Sequence, residues 1–300
     1  MRKILKLIIL PPLHLIRFII KNIIEVVVKH AIPNYDLPIL PLSKSINDLI
    51  TPTPFNSPTP TASSNRKLKK VLTFSIHNID ENVKKTHDYF EEDEYKDCYN
   101  HFKKYFYTSL LVQDRFDALR YALERSLSNH KKNDLYLEFG VFVGNSTNFI
   151  SKILKDIPLY GFDSFEGLRE DWYATASPKG RFNKYKKVPK LNKNVIPIIG
   201  WVQDTLPDFL TKNKRRGVNF VYLDLDTYPS TKFVLEKIKP YLNDKCIIVF
   251  DQLYNYPGWR IGEYKALIET FSENEFKYLC FAKEAMGAVV IEFNNKSNLN

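Results

Sequence analysis

The chain has 300 residues, of which 44% are hydrophobic, enough for one sizeable core with appendages around it. Its three cysteines are odd in number and show no paired spacing, so neither a disulfide framework nor a zinc site is indicated, and a reducing compartment fits. The formal net charge is +10, but six basic residues and only one acidic residue fall within the first thirty positions. The remainder is too weakly basic to indicate a nucleic-acid partner.

Residues 1–32 are predicted to form an amphipathic membrane-surface segment. Between His14 and Lys29, polar residues recur every three or four positions among Leu, Ile, Phe and Val, which gives a helix one narrow polar stripe. A spanning helix would place Arg17 and Lys21 in mid-bilayer, at a cost of about 2.5 to 3.5 kcal/mol each. We therefore expect a cytoplasmic protein, peripherally associated with an anionic membrane surface. A helix packed on the protein or on a second subunit, in a homo-oligomer, is the alternative.

The next two regions differ in composition. Residues 33–70 are rich in Pro, Thr and Ser and lack periodicity, so we predict a linker. Residues 71–130 mix acidic and aromatic residues, and apolar positions from Phe116 to Leu127 follow helical spacing. We interpret this second region as a helical cap over the ligand site. Ordinary helices that pack at the sheet edge are an equal alternative.

Residues 131–296 alternate strands and helices, as a mostly parallel, Rossmann-like α/β sheet requires. Seven strands are predicted, at residues 135–137, 159–162, 195–199, 220–223, 247–250, 276–282 and 288–293. The last two should form a terminal antiparallel hairpin, joined by a short turn that contains Gly287.

A glycine turn follows the first of these strands. Glu138 stands at the end of the strand, and Gly140 and Gly144 flank the turn. Glycines at such a place let a ligand approach the backbone closely. Ser146 or Thr147 is predicted to cap the helix that follows. A tight connection without a ligand is the alternative interpretation.

The turn and the next strand together indicate which ligand binds. Asp163 follows the turn by about twenty residues, the position of a carboxylate that binds ribose in α/β nucleotide sites. The turn has the spacing E-x-G-x-x-x-G, whereas pyrophosphate sites use G-x-G-x-x-G. A carboxylate in the turn would repel a pyrophosphate. It suits a cofactor that carries an ammonium and a sulfonium group, which is S-adenosylmethionine.

Carboxylates stand at the ends of four predicted strands: Glu138, Asp163, Asp224 and Asp251. Ligands of parallel sheets bind beyond the carboxyl ends of the strands, so these side chains should converge on one crevice. Methylation of an alcohol requires a base, a metal ion that acidifies the hydroxyl, or both. All six histidines precede the first core strand, so none can supply the base from a strand end.

Five motifs, in the same order, resemble class I S-adenosylmethionine-dependent methyltransferases, most closely the macrocin O-methyltransferase (TylF-like) group. They are GFDSFEGLREDW (161–172), KGRF (179–182), GWVQDTLPDFL (200–210), LDLDTYPST (223–231) and VFDQLYNYPGW (249–259). The resemblance runs from about residue 115 to residue 293. It implies that the glycine turn and the acidic loop hold the cofactor. It also implies that acids after the fourth and fifth strands hold a divalent cation beside the acceptor hydroxyl.

These arguments predict the site residues. The predicted cofactor-binding residues are Glu138, Gly140, Val141, Gly144, Ser146, Asp163, Ser164, Gly200, Trp201 and Asp204. The predicted catalytic residues are Asp224 and Asp226, and the predicted Mg²⁺ ligands are Asp224, Asp251 and Gln252. Many relatives carry an acid where this chain has Gln252, whose amide oxygen can ligate a metal but adds no charge. Alternatively, Asp226 caps a helix or forms a turn, and Asp204 caps a helix.

The function that fits these residues best is O-methylation of a hydroxyl on a sugar, glycolipid or polyketide-like small molecule. The basic loop of residues 172–189 would meet an anionic acceptor, unless it is only a solvated loop. A non-catalytic, membrane-tethered module that keeps the fold is an alternative, which Gln252 supports. A nicotinamide-dependent enzyme is a further alternative, which the missing G-x-G-x-x-G disfavours.

Overall fold

The computed structural model describes residues 81–294, with the side chains of residues 85–294. The strands are β1 Leu110–Val112, β2 Leu135–Phe139, β3 Leu159–Asp163, β4 Val195–Ile199, β5 Val218–Leu223, β6 Leu242–Tyr254, β7 Phe276–Ala282 and β8 Gly287–Phe293. The helices are α1 Glu81–Phe106, α2 Arg115–Ser128, α3 Asn145–Leu154, α4 Val202–Lys212, α5 Tyr228–Ile238 and α6 Glu263–Thr270.

The strands form one sheet in the order β1-β7-β8-β6-β5-β2-β3-β4. Strand β8 runs antiparallel to β6 and β7, and every other neighbouring pair is parallel. The predicted α/β architecture, mostly parallel with a terminal antiparallel hairpin, is therefore confirmed. From β2 the chain builds outward through β3 and β4, and then returns to the other side of β2 with β5. A switch of this kind opens a crevice at the carboxyl ends of the strands.

Helices cover both faces of the sheet because the central strands β2, β5 and β8 bury their side chains on both sides. On one face, α2 and α3 pack through residues such as Leu119 and Ile150 against Tyr222 and Val249. The core on the other face takes in buried side chains of α1, α4, α5 and α6, among them Phe102. Helix α2 therefore packs on the sheet as an ordinary helix, which was the alternative to the predicted helical cap. Its first residue, Arg115, nevertheless contacts Asp251 near the strand ends.

Three details differ from the predictions. Residues 110–112 form a short edge strand that pairs with β7, inside the region predicted to be helical, which raises the strand count from seven to eight. A three-residue strand is too short to show a period of two, so the sequence pattern could not reveal it. Gly287 lies in β8 rather than in the turn before it. Strand β6 continues past residue 250, and it therefore includes Asp251 and Gln252.

The predicted membrane-surface segment and the linker lie outside the described residues. Within residues 81–294, no helix has the length and apolar character that crossing a membrane requires.

Candidate active site

The glycine turn after β2 lies directly against the end of β5. Gly140 has φ +96°, and its amide donates to the carbonyl of Phe162 at 2.9 Å. A Cβ atom on Gly140 would lie 1.9 Å from the carbonyl oxygen of Asp224. Gly140 is thus required both by its backbone conformation and by the close approach of another strand. The predicted use of glycine at this position has a structural reason before any ligand binds.

Helix α3 begins differently from the prediction. It starts at Asn145 after Gly144, which has φ +82°, and no side chain caps it. Ser146 and Thr147 are therefore not the cap. The Ser146 hydroxyl instead donates to Oε1 of Glu138 at 2.7 Å. Hydrogen bonds to a carboxylate are among the strong ones, so this contact ties the start of α3 to Glu138.

Asp163 holds the glycine turn in place. Its Oδ2 accepts from the amides of Val141 at 2.9 Å and Phe142 at 2.7 Å, and its Oδ1 accepts from the amide of Phe165 at 2.6 Å. A carboxylate therefore occupies the amide groups that would hold a phosphate in a dinucleotide site. This arrangement disfavours a pyrophosphate at the turn, as the spacing predicted. The predicted contact of Asp163 with ribose remains a prediction.

Glu138 is a buried acid with one oxygen unused. It is 0% exposed, and its Oε2 has no hydrogen-bond partner in the described structure. Burial raises the pKa of Glu138 to about 8, although the Ser146 hydroxyl opposes the shift. An unpartnered buried carboxyl is costly, and a bound cation would relieve that cost. The turn therefore fits a cofactor that carries positive charge.

Two further acids lie after β5. Asp226 is buried and has φ +61°, a conformation that aspartate tolerates better than most residues. Burial and the nearby charge of Asp251 raise the pKa of Asp226 to about 8. Burial and the charge of Asp226 raise the pKa of Asp224 to about 7. Thr227, not Asp226, is the N-cap position of α5, so the predicted alternative of a helix cap is wrong for Asp226.

Asp251 is the centre of a buried hydrogen-bond cluster. Its side chain is inaccessible to solvent, and Arg115 Nη1 lies 2.6 Å from Oδ2. The side-chain nitrogen Nε2 of Gln252 also donates to Oδ2, and the hydroxyl of Tyr222 donates to Oδ1. Gln252 Nε2 reaches Asp224 Oδ1 as well, at 3.2 Å. Burial, followed by the charge of Asp224, raises the pKa of Asp251 well above its ordinary value, against the effect of Arg115.

The predicted Mg²⁺ ligands do not fit a metal well in this arrangement. Asp251 already uses three of its about four acceptor positions. Gln252 presents its amide nitrogen to both acids, while its oxygen Oε1 is buried without a partner. Mg²⁺ demands near-octahedral oxygen ligands at about 2.0 to 2.1 Å. Within the described residues, no group of three or more His, Cys, Asp or Glu side chains is arranged to hold a metal ion.

The remaining predicted residues lie around β3 and β4. The amide of Gly200 donates to the carbonyl of Asp163 at 3.0 Å, which brings the start of α4 to the turn. Ser164 accepts from the amide of Glu166 at 3.1 Å. Trp201 is the N-cap position of α4, and Asp204 lies exposed in the first turn of that helix. The predicted capping role of Asp204 is therefore wrong.

Sequence reasoning missed three members of the site: Arg115, Tyr222 and Glu263. Glu263, at the start of α6, is fully buried, and its Oε2 accepts from the backbone amide of Gln252 at 3.0 Å. Tyr222 stands in the middle of an apolar run, where it reads as an ordinary core residue. Arg115 lies far from the acids in the sequence and carries no motif. A basic residue at the first position of a helix, where it opposes the helix dipole, was the one available signal.

The basic loop folds back on the glycine turn. The amides of Lys184 and Lys186 both donate to the carbonyl of Phe165, at 3.1 and 3.0 Å. The rings of Phe142 and Phe182 meet edge to face with their centres 5.5 Å apart. The ammonium of Lys184 lies 5.2 Å from the centre of the Phe142 ring. Positive charge is thus held beside the predicted cofactor turn.

Comparison with known proteins finds one matching family model and several similar solved structures. Residues 137–253 match the model of a family described as a methyltransferase domain. Among solved structures, the calicheamicin methyltransferase CalS11 is similar, with 20% identity, a TM-score of 0.48, and coverage of 82% of this chain and 100% of that one. The O-methyltransferase NovP has 20% identity, a TM-score of 0.43, and coverage of 60% and 80%. No curated protein matches the sequence significantly.

The matched range begins in β2, includes the glycine turn, Asp163, Asp224 and Asp226, and ends just after Gln252. It therefore covers the crevice described above. Residues 137–253 are therefore similar to a methyltransferase domain, and this similarity falls on the part of the sheet that carries the crevice.

Proposed function

We propose that the protein transfers the methyl group of S-adenosylmethionine to a hydroxyl oxygen of a sugar, glycolipid or polyketide-like small molecule. The observation that carries the proposal is the convergence of four acids near the carboxyl ends of β2, β5 and β6: the buried Glu138, Asp226 and Asp251, and the partly buried Asp224. Oxygen acceptors must lose a proton when they are methylated, and a carboxylate can receive it. The motifs that resemble the macrocin O-methyltransferase group support the choice of oxygen.

Each part of the crevice then has a task. Glu138 and the glycine turn would hold the cofactor, which supplies an electrophilic methyl group when bound. Asp226 would accept the proton of the acceptor hydroxyl. Residues 85–294 contain three histidines: His101 bonds to Tyr264, His130 bonds to Tyr136, and His87 is exposed on α1. A carboxylate is therefore the base that the crevice offers.

The basic loop supports an acceptor that carries negative charge, such as a sugar phosphate or a lipid-linked sugar. The Lys184 ammonium lies 5.2 Å from the centre of the Phe142 ring in the glycine turn, so one charge of the loop is near the proposed cofactor site, while the Lys186 ammonium pairs with Glu166 at 3.4 Å. A panel of phosphorylated and neutral sugars, assayed by release of S-adenosylhomocysteine, would test this proposal. Equal turnover of charged and neutral members would contradict it.

We expect the protein to bind S-adenosylmethionine and S-adenosylhomocysteine but not NAD, with an affinity that rises with pH. Both ligands carry an ammonium, and the first adds a sulfonium. Because burial raises the pKa of Glu138 to about 8, the free protein holds a proton there at pH 6 and must lose it to pair with a cation. Calorimetric titration should show S-adenosylmethionine affinity rising roughly tenfold or more between pH 6 and pH 8.5.

Glu138→Gln isolates the cause, because the amide keeps the shape but cannot ionise. Its affinity should be lower at pH 8.5 and nearly independent of pH. Glu236→Gln, which changes an exposed acid on α5, should behave like the wild type. Binding of NAD, or an unchanged pH dependence in Glu138→Gln, would contradict the assignment of the turn.

We also propose that residues 1–30 bind anionic membranes through the polar stripe that includes Arg17 and Lys21. Binding to phosphatidylcholine vesicles should grow with added phosphatidylserine and weaken with salt, because exposed charges are screened. The double change Arg17→Gln and Lys21→Gln should weaken binding roughly tenfold or more, at about 1 kcal/mol per charge. The matched control, in which the exposed residues Lys214 and Arg215 are both changed to Gln, should bind the vesicles as tightly as the wild type. Vesicle binding that ignores both lipid charge and salt would refute the proposal.

A further inference from the structure

The cation beside the acidic cluster is a side chain of the protein itself. Arg115 Nη1 lies 2.6 Å from Asp251 Oδ2, and its Nε lies 3.3 Å from Glu284 Oε1. The Arg115 side chain is 33% exposed, whereas that of Asp251 is 0% exposed. Within residues 85–294, it is the one basic side chain with an ion pair to these site acids. Burial of the partner carboxylate keeps this charge interaction strong, because solvent does not screen it.

Arg115 is also anchored for this position by the fold. It is the first residue of α2, which Asp114 caps by accepting from the amides of Phe116 at 2.9 Å and Asp117 at 3.1 Å. The buried residues Ala118 and Leu119 fix the first turn of α2 against the sheet. The guanidinium is thus directed at Asp251 from a rigid element. An arginine cannot give up its proton in a protein, so this cation is permanent.

The donors on Asp251 leave little room for a metal ion. Arg115 and Gln252 donate to one oxygen and Tyr222 to the other. A divalent ion on the remaining acceptor position would stand a few ångströms from the guanidinium, and like charges repel strongly where water is excluded. Rotation of the Gln252 amide would not change this, because the Arg115 contact does not depend on Gln252.

We propose that Arg115 takes the place that a divalent cation holds at this cluster in metal-assisted methyl transfer. The chain then carries its own fixed positive charge beside Asp224 and Asp251, and it needs no metal for the reaction. Gln252 fits the same arrangement, since its amide nitrogen bridges the two acids where a metal would need an oxygen. Arg115 acts here as a positioning residue, which holds Asp251 and sets the charge of the site.

The test measures metal binding directly, so it needs no acceptor and stays valid if the proposed O-methylation is wrong. Mn²⁺ binding to the full-length protein is measured by electron paramagnetic resonance, with S-adenosylhomocysteine present. The wild type should bind Mn²⁺ no more tightly than about 1 mM, typical of a surface carboxylate pair. Arg115→Met, which removes the charge but keeps an apolar stem, should bind Mn²⁺ at least tenfold more tightly.

A matched control lies on the same helix. Arg125 pairs with the buried Glu292 at 3.2 Å, so Arg125→Met breaks a similar ion pair away from the site and should leave Mn²⁺ affinity at the wild-type level. Circular dichroism verifies folding, and Arg115→Gln serves as a second variant if Arg115→Met does not fold. Wild-type binding of Mn²⁺ as tight as that of the Arg115 variants would overturn the proposal. So would a loss of wild-type methyl transfer in EDTA that added Mg²⁺ restores.

Discussion

Replacing Gly140 by alanine should both destabilise the protein and weaken cofactor binding. The new Cβ atom would meet the carbonyl oxygen of Asp224 at 1.9 Å, and neither backbone can move without disturbing the hydrogen bonds between β2 and β5. A side chain at φ +96° costs about 1 to 2 kcal/mol, and the overpacking adds about 1 to 3 kcal/mol. We expect the midpoint temperature of thermal unfolding to fall by more than about 5 °C. Calorimetry should show at least about tenfold weaker binding of S-adenosylhomocysteine.

Gly180 provides the matched control. It has φ +81°, but nothing lies within 4 Å of the Cβ atom that alanine would add. Gly180→Ala therefore has the backbone strain without the steric clash. Its loss of stability should be smaller than that of Gly140→Ala, because only the cost of the backbone conformation remains. Equal losses of stability and affinity in the two variants would show that the contact between the turn and Asp224 is not what demands glycine.

The sequence predicted the strand ends well because their signals are local. An apolar run that stops at a carboxylate marks both a buried strand and its exit from the core, as at Asp163 and Asp224. The parallel arrangement then brings such ends to one edge without any further knowledge of packing. This is why the crevice could be placed before the side-chain contacts were known.

The partners of those carboxylates could not be predicted in the same way. The contact of Asp163 with ribose stays a prediction, whereas its acceptance from the amides of Val141 and Phe142 follows only from the three-dimensional path of the turn. The pair of Arg115 and Asp251 joins residues 136 positions apart. It depends on how α2 sits against β6, and helical periodicity gives the buried face of α2 but not its register along the strand.

The second large effect concerns Asp226. Asp226→Asn should reduce kcat by about a hundred- to ten-thousandfold, the usual contribution of a general base, while S-adenosylhomocysteine binds as tightly as before. Asparagine has the same shape and also tolerates the left-handed conformation at φ +61°, so the loop should keep its path. The measurement is S-adenosylhomocysteine release on the best acceptor of the sugar panel, together with calorimetric binding of the same product.

The pH profile separates a proton acceptor from a structural residue. Because burial and Asp251 raise the pKa of Asp226 to about 8, the base is mostly protonated at pH 6, and wild-type kcat should climb with pH through an inflection near 8 and level off about one pH unit above it. Asp226→Asn should be slow at every pH, with no inflection near 8. Asp208→Asn, an exposed acid on α4, should keep the wild-type profile. If Asp226→Asn retains both the rate and the inflection, the proton goes to another group, and Asp224, with a pKa raised to about 7, becomes the next residue to replace.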